Sequence, residues 1–198
     1  MKKTALIISL FIVANSVFAQ FTIGPKVGLN ISKEYSGVKL TDEGLDFRTG
    51  LNLGVFGRYE IGNGFDIQAE LLYSQQGSKY NVPIVDVLGT PVDRSGFKTL
   101  THYLNIPLLL KYYPISCLYI EAGPQVGFCI DKSESLFGSI DDKYKTIDFS
   151  LAGGIGYNIG SGLSVNARYN YGFTQVIPDL KLKSRVIQIS LAYDLWSF

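Results

Sequence analysis

Apolar and polar residues alternate along most of the chain, and short turns separate the alternating runs. Residues 51–61 and 65–73 alternate in this way on either side of Gly62-Asn63-Gly64. A period of two gives a β-strand one apolar and one polar face. Glycine and asparagine tolerate the positive φ that a tight hairpin turn requires. This stretch therefore predicts a β-hairpin.

The hairpin pattern occurs twice in the chain. Residues 59–70 return as residues 157–168, an offset of 98, and residues 24–31 return as residues 123–130, an offset of 99. Glycine-rich turns recur in many hairpin proteins, but two separate echoes at nearly equal offsets favour an internal repeat. The chain is therefore interpreted as two copies of a four-strand unit.

The alternating runs predict eight strands in all. Turns are short after strands two, four and six, and connections are long after strands one, three, five and seven. Short turns at one rim and long connections at the other are typical of an up-and-down transmembrane barrel of the outer membrane. In a soluble sandwich or lipocalin-like barrel, the connections need not differ in length between the two rims. The long connections are expected at Ser32 to Phe47, Gly77 to Phe97, Asp131 to Lys143 and Gln175 to Lys183.

Aromatic residues on the apolar faces are expected to form two belts, one near each rim. Amphipathic rings at both membrane interfaces are a feature of such barrels. The belt at the short-turn rim is predicted to contain Phe21, Tyr59, Phe65, Tyr112, Tyr157 and Tyr193. The belt at the long-loop rim is predicted to contain Tyr73, Phe128, Phe149, Tyr171 and Phe173.

The N-terminus has the pattern of a secretory signal peptide. Lys2-Lys3 precedes a mostly apolar run from Ala5 to Phe18, and small residues precede a cleavage site between Ala19 and Gln20. Residues 1–19 are therefore predicted to be removed, leaving residues 20–198 as one barrel domain. No later run reaches the ~18–20 apolar residues of a membrane helix.

Several motifs resemble those of the small outer-membrane β-barrel proteins of Bacteroidetes, often labelled "porin family" or PorT-like. They are Gly28-Leu29-Asn30, residues 68–75, residues 103–107, Gly123-Pro124 and residues 153–156. The resemblance covers nearly all of residues 20–198. It implies an eight-stranded antiparallel barrel in the outer membrane of a Gram-negative cell, with periplasmic termini and no catalytic motif.

The C-terminal Phe198 resembles the aromatic ending that the bacterial barrel-assembly machinery recognises. Trp196 and Phe198 are out of phase with Tyr193 and Leu195, which predicts a slip or bulge just before the terminus. Bulges are also expected at Pro25, Pro107 and Pro124, because proline removes a ladder donor inside a strand.

The polar faces of the strands contain charged residues that are expected to point into the lumen. An eight-stranded barrel is wide enough only for its own side chains or one small ligand. A salt-bridge plug and a narrow or gated ion path are both compatible with this pattern. Four residues (Lys26, Glu70, Glu121, Arg168) are expected at one height, with Arg58, Lys111 and Asp194 slightly lower; Glu60 and Asp66 complete the set.

Other chemistry is sparse. The single histidine, His102, is expected to face outward near the long-loop rim, and no serine is spaced to make it catalytic. Cys117 and Cys129 would lie ~40 Å apart on one strand, too far for a disulfide, so we expect thiols that face the lumen. Neither a metal nor a cofactor is expected. The 18 basic and 17 acidic residues nearly balance, which argues against a nucleic-acid partner.

The sequence therefore predicts a non-enzymatic outer-membrane barrel. Its expected partners are outer-membrane lipid, the barrel-assembly machinery, and a ligand or host surface outside the cell that the long loops contact. We expect a monomer. A narrow pore for ions or small solutes is the alternative function, and a lipid-modifying enzyme centred on His102 is a more distant one.

Overall fold

The computed structural model describes the backbone of residues 20–36, 45–77, 79–85, 91–134, 147–177 and 182–198. Side chains are described for residues 20–32, 47–77, 100–131, 147–174 and 184–198. The predicted signal peptide, residues 1–19, lies outside this part of the chain. No helix that is long and apolar enough to cross a membrane occurs among the described residues.

The described residues form eleven strands and turns between them. The strands are β1 (Phe21–Ser36), β2 (Leu45–Asp46), β3 (Arg48–Gly62), β4 (Phe65–Gln76), β5 (Lys79–Val85), β6 (Pro91–Ile115), β7 (Leu118–Glu134), β8 (Ile147–Gly160), β9 (Leu163–Ile177), β10 (Leu182–Tyr193) and β11 (Trp196–Ser197).

Eight of these strands close an antiparallel barrel. The order around the barrel is β1, β3, β4, β6, β7, β8, β9 and β10, and β10 pairs with β1. Along β4, residues alternate strictly between exposed and more buried positions, with the polar residues inward. The predicted eight-stranded up-and-down barrel is confirmed, because the period of two that the sequence shows is the period of a sheet with different surroundings on its two faces.

The two hairpins that the sequence repeat predicts have the same backbone conformation. Asn63 and Ser161 have φ values of 54° and 53°, and each lies between two glycines with positive φ. Glycine adopts these left-handed conformations without the steric cost of a Cβ atom. The ladders match as well, since the pairs Glu60↔Asp66 and Asn158↔Ser164 differ by 98 residues on both strands.

The second sequence echo does not superimpose in the same way. Gly24 pairs with Phe56, and Gly154 lies 98 residues after Phe56. Gly154 pairs with Glu121, however, and not with Gly123. The motifs around Gly24 and Gly123 are therefore displaced from each other by two residues in height.

The prediction of a long loop from Gly77 to Phe97 is wrong for most of that range. β5 pairs with residues 91–98 of β6 as a two-stranded hairpin, and β2 adds a short third strand to it. The misleading signals were Pro83 and Gly96, which lie in this ribbon and pair with Arg94 and Asn81. A ribbon with few neighbours tolerates a missing donor better than a central strand does.

Other strands also extend beyond their predicted ends. β1 continues to Ser36, β7 to Glu134 and β9 to Ile177, and β10 begins at Leu182. The polar residues at these ends were interpreted as loops because the apolar alternation stops there. Outside a membrane, however, a strand has no apolar surroundings that would require it to alternate. The remaining parts of the predicted loops lie outside the described residues.

The strand prolines have different effects on the ladders. Beside Pro25 the pairing changes from Ile23↔Trp196 to Lys26↔Ala192. The C-terminal segment between Ala192 and Trp196 therefore contains one residue more than the segment of β1 that it faces. This irregularity confirms both the expected slip before the terminus and the expected bulge at Pro25. Leu195 within it donates its backbone N–H to the carbonyl oxygen of Ile23 at 2.9 Å.

The prediction of bulges at Pro107 and Pro124 is wrong. Next to these prolines the ladders lack pairs, but the register is the same before and after each gap. On its other side, Pro124 pairs with Leu151 in an uninterrupted ladder. A missing N–H removes a hydrogen bond without adding a residue to the strand, so a gap forms in place of a bulge.

Candidate functional site in the barrel lumen

Glycines on the inner face of the wall make room for large lumen side chains. Gly154 pairs with Arg168, and a Cβ atom at Gly154 would lie 2.6 Å from the carbonyl oxygen of Ala167 and 3.1 Å from Cα of Arg168. Gly156 pairs with Tyr119, and a Cβ atom there would overlap the tyrosine ring. The small residues of β8 thus position a guanidinium and a phenol ring in the lumen.

Arg168 connects two glutamates at the centre of the lumen. Its Nη1 and Nη2 atoms each donate to a different oxygen of Glu70 at 2.8 Å, and its Nε donates to Glu121 at 2.7 Å. Asn166 adds a hydrogen bond of 2.9 Å to the same oxygen of Glu121. All three charged side chains have no exposed surface. Two-pronged arginine–carboxylate pairs of this kind combine strong attraction with fixed geometry.

Two lysines complete this cluster, which we call the upper charge cluster (Lys26, Glu70, Lys111, Glu121 and Arg168). Lys26 donates to Glu70 at 2.9 Å, and Lys111 lies 3.8 Å from Glu121. The Lys111 ammonium also lies 4.1 Å from the centre of the Tyr119 ring, a favourable position for a cation. Lys111, which is expected slightly lower, adjoins both layers, because it pairs with Asp66 on β4 and with Glu121 on β7.

A second group lies nearer the short-turn rim, and we call it the lower charge cluster (Arg58, Asp66 and Asp194). Arg58 contacts Asp194 at 2.6 Å and Asp66 at 3.5 Å. Glu60, also expected in the network, is exposed and belongs to neither cluster. The lumen thus has two charge layers of opposite net sign, with three cations and two anions above and one cation and two anions below.

The inner face nearer the long connections is lined mainly by neutral amides and hydroxyls, with one carboxylate, Asp148, which pairs with Gly127. Asn30 donates to Ser74 at 2.8 Å, Asn52 donates to Asn30 at 3.1 Å, and Gln125 donates to Ser150 at 3.1 Å. The inward parity of these residues is the sequence signal that identifies this lining, which the set of charged residues does not include. Its buried members are Asn30, Ser32, Asn52, Ser74, Gln76, Thr101, Asn105, Gln125, Ser150, Asn170, Gln188 and Ser190.

Apolar and aromatic side chains fill part of the lumen as well. Phe56 is 3% exposed, Tyr119 2% and Leu109 1%, and the Arg58 guanidinium lies 5.9 Å from the centre of the Phe56 ring. These residues have the inward parity of their strands. That parity is the one sequence signal that distinguishes them from apolar residues on the outer wall. They share the interior of the barrel with the charge clusters.

The outer wall is covered with exposed apolar side chains, and the aromatic residues of both predicted belts are on it. Phe65 and Tyr112 pair across β4 and β6 with ring centres 4.7 Å apart, and Tyr171 and Phe173 are 5.4 Å apart. Most belt residues are exposed, while Phe21, Tyr59, Tyr73 and Tyr171 are partly covered. A closed sheet with apolar residues outside and charges inside is the reverse of a water-soluble barrel.

This inverted wall agrees with the relationship found by sequence comparison. The profile described as "Outer membrane protein beta-barrel domain" matches residues 18–178. The chain belongs to this outer-membrane β-barrel family. It is therefore a protein of the bacterial outer membrane, and the relatives in solved structures agree with that fold. A search of curated proteins found no match.

Two solved outer-membrane barrels have folds similar to this family member. Neisserial surface protein A has a TM-score of 0.56 at 12% identity, with 87% of this chain and 97% of that chain covered. Ail, the attachment invasion locus protein of Yersinia pestis, was solved in complex with the heparin analogue sucrose octasulfate. It has a TM-score of 0.51 at 14% identity, with 88% and 98% covered. At such low identity these similarities show the fold alone.

His102 and the cysteines lie apart from the charge clusters of this outer-membrane barrel. His102 faces outward, where its Nδ1 is 2.5 Å from the hydroxyl of Tyr73 and the two rings stack. Both cysteines are described, and neither forms a disulfide. Cys129 has the inward parity, whereas Cys117 lies in the turn before β7, where strand parity does not apply. Within the described ranges, no group of three or more histidine, cysteine, aspartate or glutamate residues could hold a metal ion.

Proposed function

We propose that this protein is a non-enzymatic outer-membrane barrel with a closed lumen that presents the β5–β6 hairpin outside the cell. The observation that supports this proposal most directly is the length of β6, which has 25 residues. A transmembrane strand needs only ~9–11 residues. More than half of β6 is therefore available to project from the membrane.

The pairing of β6 supports the assignment of its N-terminal part to the projecting hairpin. Residues 101–112 pair with β4 within the barrel, whereas residues 91–98 pair with β5. The hairpin starts from the rim opposite the short turns, which is the extracellular rim in outer-membrane barrels. We therefore place the hairpin on the cell surface and both termini in the periplasm.

The charge clusters support a structural role for the lumen. The side chains of the upper cluster are 0–4% exposed, and its members come from β1, β4, β6, β7 and β9. Such a network joins strands all around the barrel, which stiffens the support of the hairpin. It also lies within the described part of the lumen, along which a solute would have to cross.

The route to the membrane is part of the same proposal. We infer that residues 1–19 direct export and that the chain is cut between Ala19 and Gln20. Phe198 then serves as the signal for the barrel-assembly machinery, and the mature barrel is a monomer surrounded by outer-membrane lipid. The motifs that resemble the Bacteroidetes PorT-like proteins suggest the group of bacteria in which these steps occur.

An epitope inserted between β5 and β6 tests the orientation. We expect antibody to label intact cells that carry this insertion. An epitope placed after Ser161, in a short turn, is the matched control and should be labelled only after the outer membrane is permeabilised. The opposite labelling pattern would overturn the proposal.

Removal of residues 79–98 tests the role of the hairpin. Intact cells with the shortened barrel should lose adhesion to a host-matrix surface. They should retain resistance to vancomycin, an antibiotic that enters Gram-negative cells only when the outer membrane is leaky. Loss of vancomycin resistance with unchanged adhesion would instead indicate that the hairpin maintains envelope integrity. If neither property changes, the proposed surface role fails.

A narrow or gated pore is the second candidate function. One observation favours it: a polar lining runs along the inner wall from Arg58 to Ser32. The Lys111–Glu121 contact, at 3.8 Å, is also looser than the other ion pairs of the upper cluster. Protein purified from outer membranes should be silent in a planar bilayer. Stepwise currents that change with Glu70→Gln or Arg168→Gln would establish the pore and overturn the closed lumen.

A further inference from the structure

The outer wall of the barrel has a groove of about 590 Å³ in the half that is nearer the short turns. Gly57 and Ala69, which pair across β3 and β4, lie at its floor. Two residues farther along these strands, toward the long connections, the outward-facing pair Val55 and Leu71 has large side chains. Because the pair of small residues is adjacent to a pair of large ones on the same face, the wall has a depression at the small pair.

The irregular C-terminus forms one side of the groove. Leu195 and Trp196 both line it, and they are 50% and 59% exposed although they are adjacent in sequence. In a regular strand one of the two would point into the lumen. The extra residue between β10 and β11 turns both side chains outward. The groove therefore exists because the register changes at the seam between the first and last strands.

The groove offers its occupant almost no polar group. Glu70 is the single charged residue of its lining, and the carboxylate of Glu70 is on the inner side of the wall, where it binds Arg168 and Lys26. The groove is continuous with the apolar outer wall, where neighbours such as Val27 and Leu53 are more than half exposed. That wall is the surface that membrane hydrocarbon covers in an outer-membrane barrel.

We propose that this groove binds one acyl chain of a phospholipid from the membrane leaflet at the short-turn end. Its volume is within the ~300–1,000 Å³ of typical small-molecule sites, and its lining matches hydrocarbon. A second barrel would present a convex wall, which touches a concave groove only at its edges. The proposal depends on the outer-membrane barrel fold and is independent of the function of the hairpin.

The rim beside the groove suits the polar end of such a lipid. The indole of Trp196 combines an apolar ring with an N–H donor, which is the reason tryptophan favours the level of lipid headgroups. The chain would thus lie in the groove while its headgroup remains at the interface.

Trp196 is the only tryptophan of the chain, so its fluorescence reports on the groove. The full protein, purified from outer membranes in detergent micelles, is titrated with phosphatidylcholine that carries brominated acyl chains, which quench tryptophan on contact. We expect quenching that saturates at one lipid per protein. The same lipid without bromine, added in excess, should reverse it.

Two matched variants locate the binding site. Ala69→Leu fills the floor of the groove and should weaken the saturable quenching by at least about tenfold, because an overfilled apolar site loses its contacts with the ligand. Ala167→Leu is the control, since Ala167 is exposed on the outer wall at the equivalent position of the second hairpin. It should leave the quenching unchanged. Ala69→Val serves as a second filling variant if Ala69→Leu does not fold.

Three results would overturn the proposal. The first is quenching of the unmodified protein that rises linearly without saturation, as expected for lipid that merely surrounds the barrel. The second is saturable quenching that Ala69→Leu and Ala69→Val leave unchanged, which would place the lipid elsewhere. The third is a dimer in analytical ultracentrifugation that a filling variant disperses, because the occupant would then be a second copy of the chain.

Discussion

Glu70 and Arg168 occupy equivalent positions in the two repeated hairpins and bind each other across the lumen. They are 98 residues apart, the offset at which the hairpin sequence recurs. Their strands, β4 and β9, are separated by three strands in either direction around the barrel. The repeat therefore places a carboxylate and a guanidinium at matching heights on opposite walls.

This pair is expected to contribute strongly to stability. Glu70→Gln removes a charge that Lys26 and Arg168 both contact and leaves those cations buried with less compensation. We expect the free energy of unfolding to fall by ~3–5 kcal/mol, measured by urea unfolding in lipid vesicles. Glu60→Gln is the control, because Glu60 is exposed at the rim. An equal effect of the two variants would contradict the network.

The glycines of β8 provide a second prediction. A Cβ atom at Gly156 would overlap the Tyr119 ring, whereas one at Gly153 has no atom within 4 Å. Gly156→Ala should therefore destabilise the barrel by ~1–3 kcal/mol, a typical cost of overpacking, while Gly153→Ala should not. The same unfolding measurement checks both variants. Tyr119→Leu in the Gly156→Ala background should restore part of the loss, and failure to do so would show that the ring is not the obstacle.

The hairpin and the barrel should be energetically separate. Residues 91–98 of β6 pair with β5 and not with the barrel strands that flank the rest of β6. Replacement of residues 79–98 by a short turn should therefore leave the urea midpoint of the barrel within experimental error. A lower midpoint would mean that the hairpin packs on the barrel and supports it.

Both thiols should persist through export. Cys117 precedes β7 and Cys129 is near the other end of that strand, ~40 Å away at the rise of an extended chain, so no disulfide can join them within one barrel. Intact-mass measurement after denaturation and alkylation without reductant should show two modified cysteines. Alkylation of neither cysteine would indicate oxidation or a disulfide between chains.

The sequence predicts most of the barrel because the signals are local. A period of two and the Gly62-Asn63-Gly64 turn determine strand faces and hairpins without knowledge of distant residues. The same parity identified Arg168 and Glu70 as inward-facing. Contacts across the lumen depend in addition on the stagger between neighbouring strands, so the sequence does not predict that Lys111 lies beside Glu121 as well as Asp66. A height predicted by counting residues from the short turn of a strand does not take that stagger into account.

The other discrepancies have different physical origins. Pro83 and Gly96 are strong breakers in a central strand but acceptable in a ribbon with few neighbours, and a single sequence does not show which surroundings apply. Pro107 illustrates the same limit, because the loss of one hydrogen bond does not reveal whether a strand forms a bulge or only a gap. Phe56 and Tyr119 are apolar residues at inward positions, so composition alone does not locate them.

The opposite charges at the two equivalent positions also determine which half-barrels are compatible. Two copies of the first half would bring Glu70 against Glu70, and two copies of the second half would bring Arg168 against Arg168. Like charges in a poorly hydrated interior repel each other strongly. Each Glu70 would still have Lys26 beside it and each Arg168 would still have Glu121, but only the mixed pair forms the two-pronged contact between Glu70 and Arg168. Fragments split at the turn between β6 and β7 should therefore assemble with each other in preference to a second copy of themselves, so that a repeat resembling a homodimer encodes a preferred heterodimer within one chain.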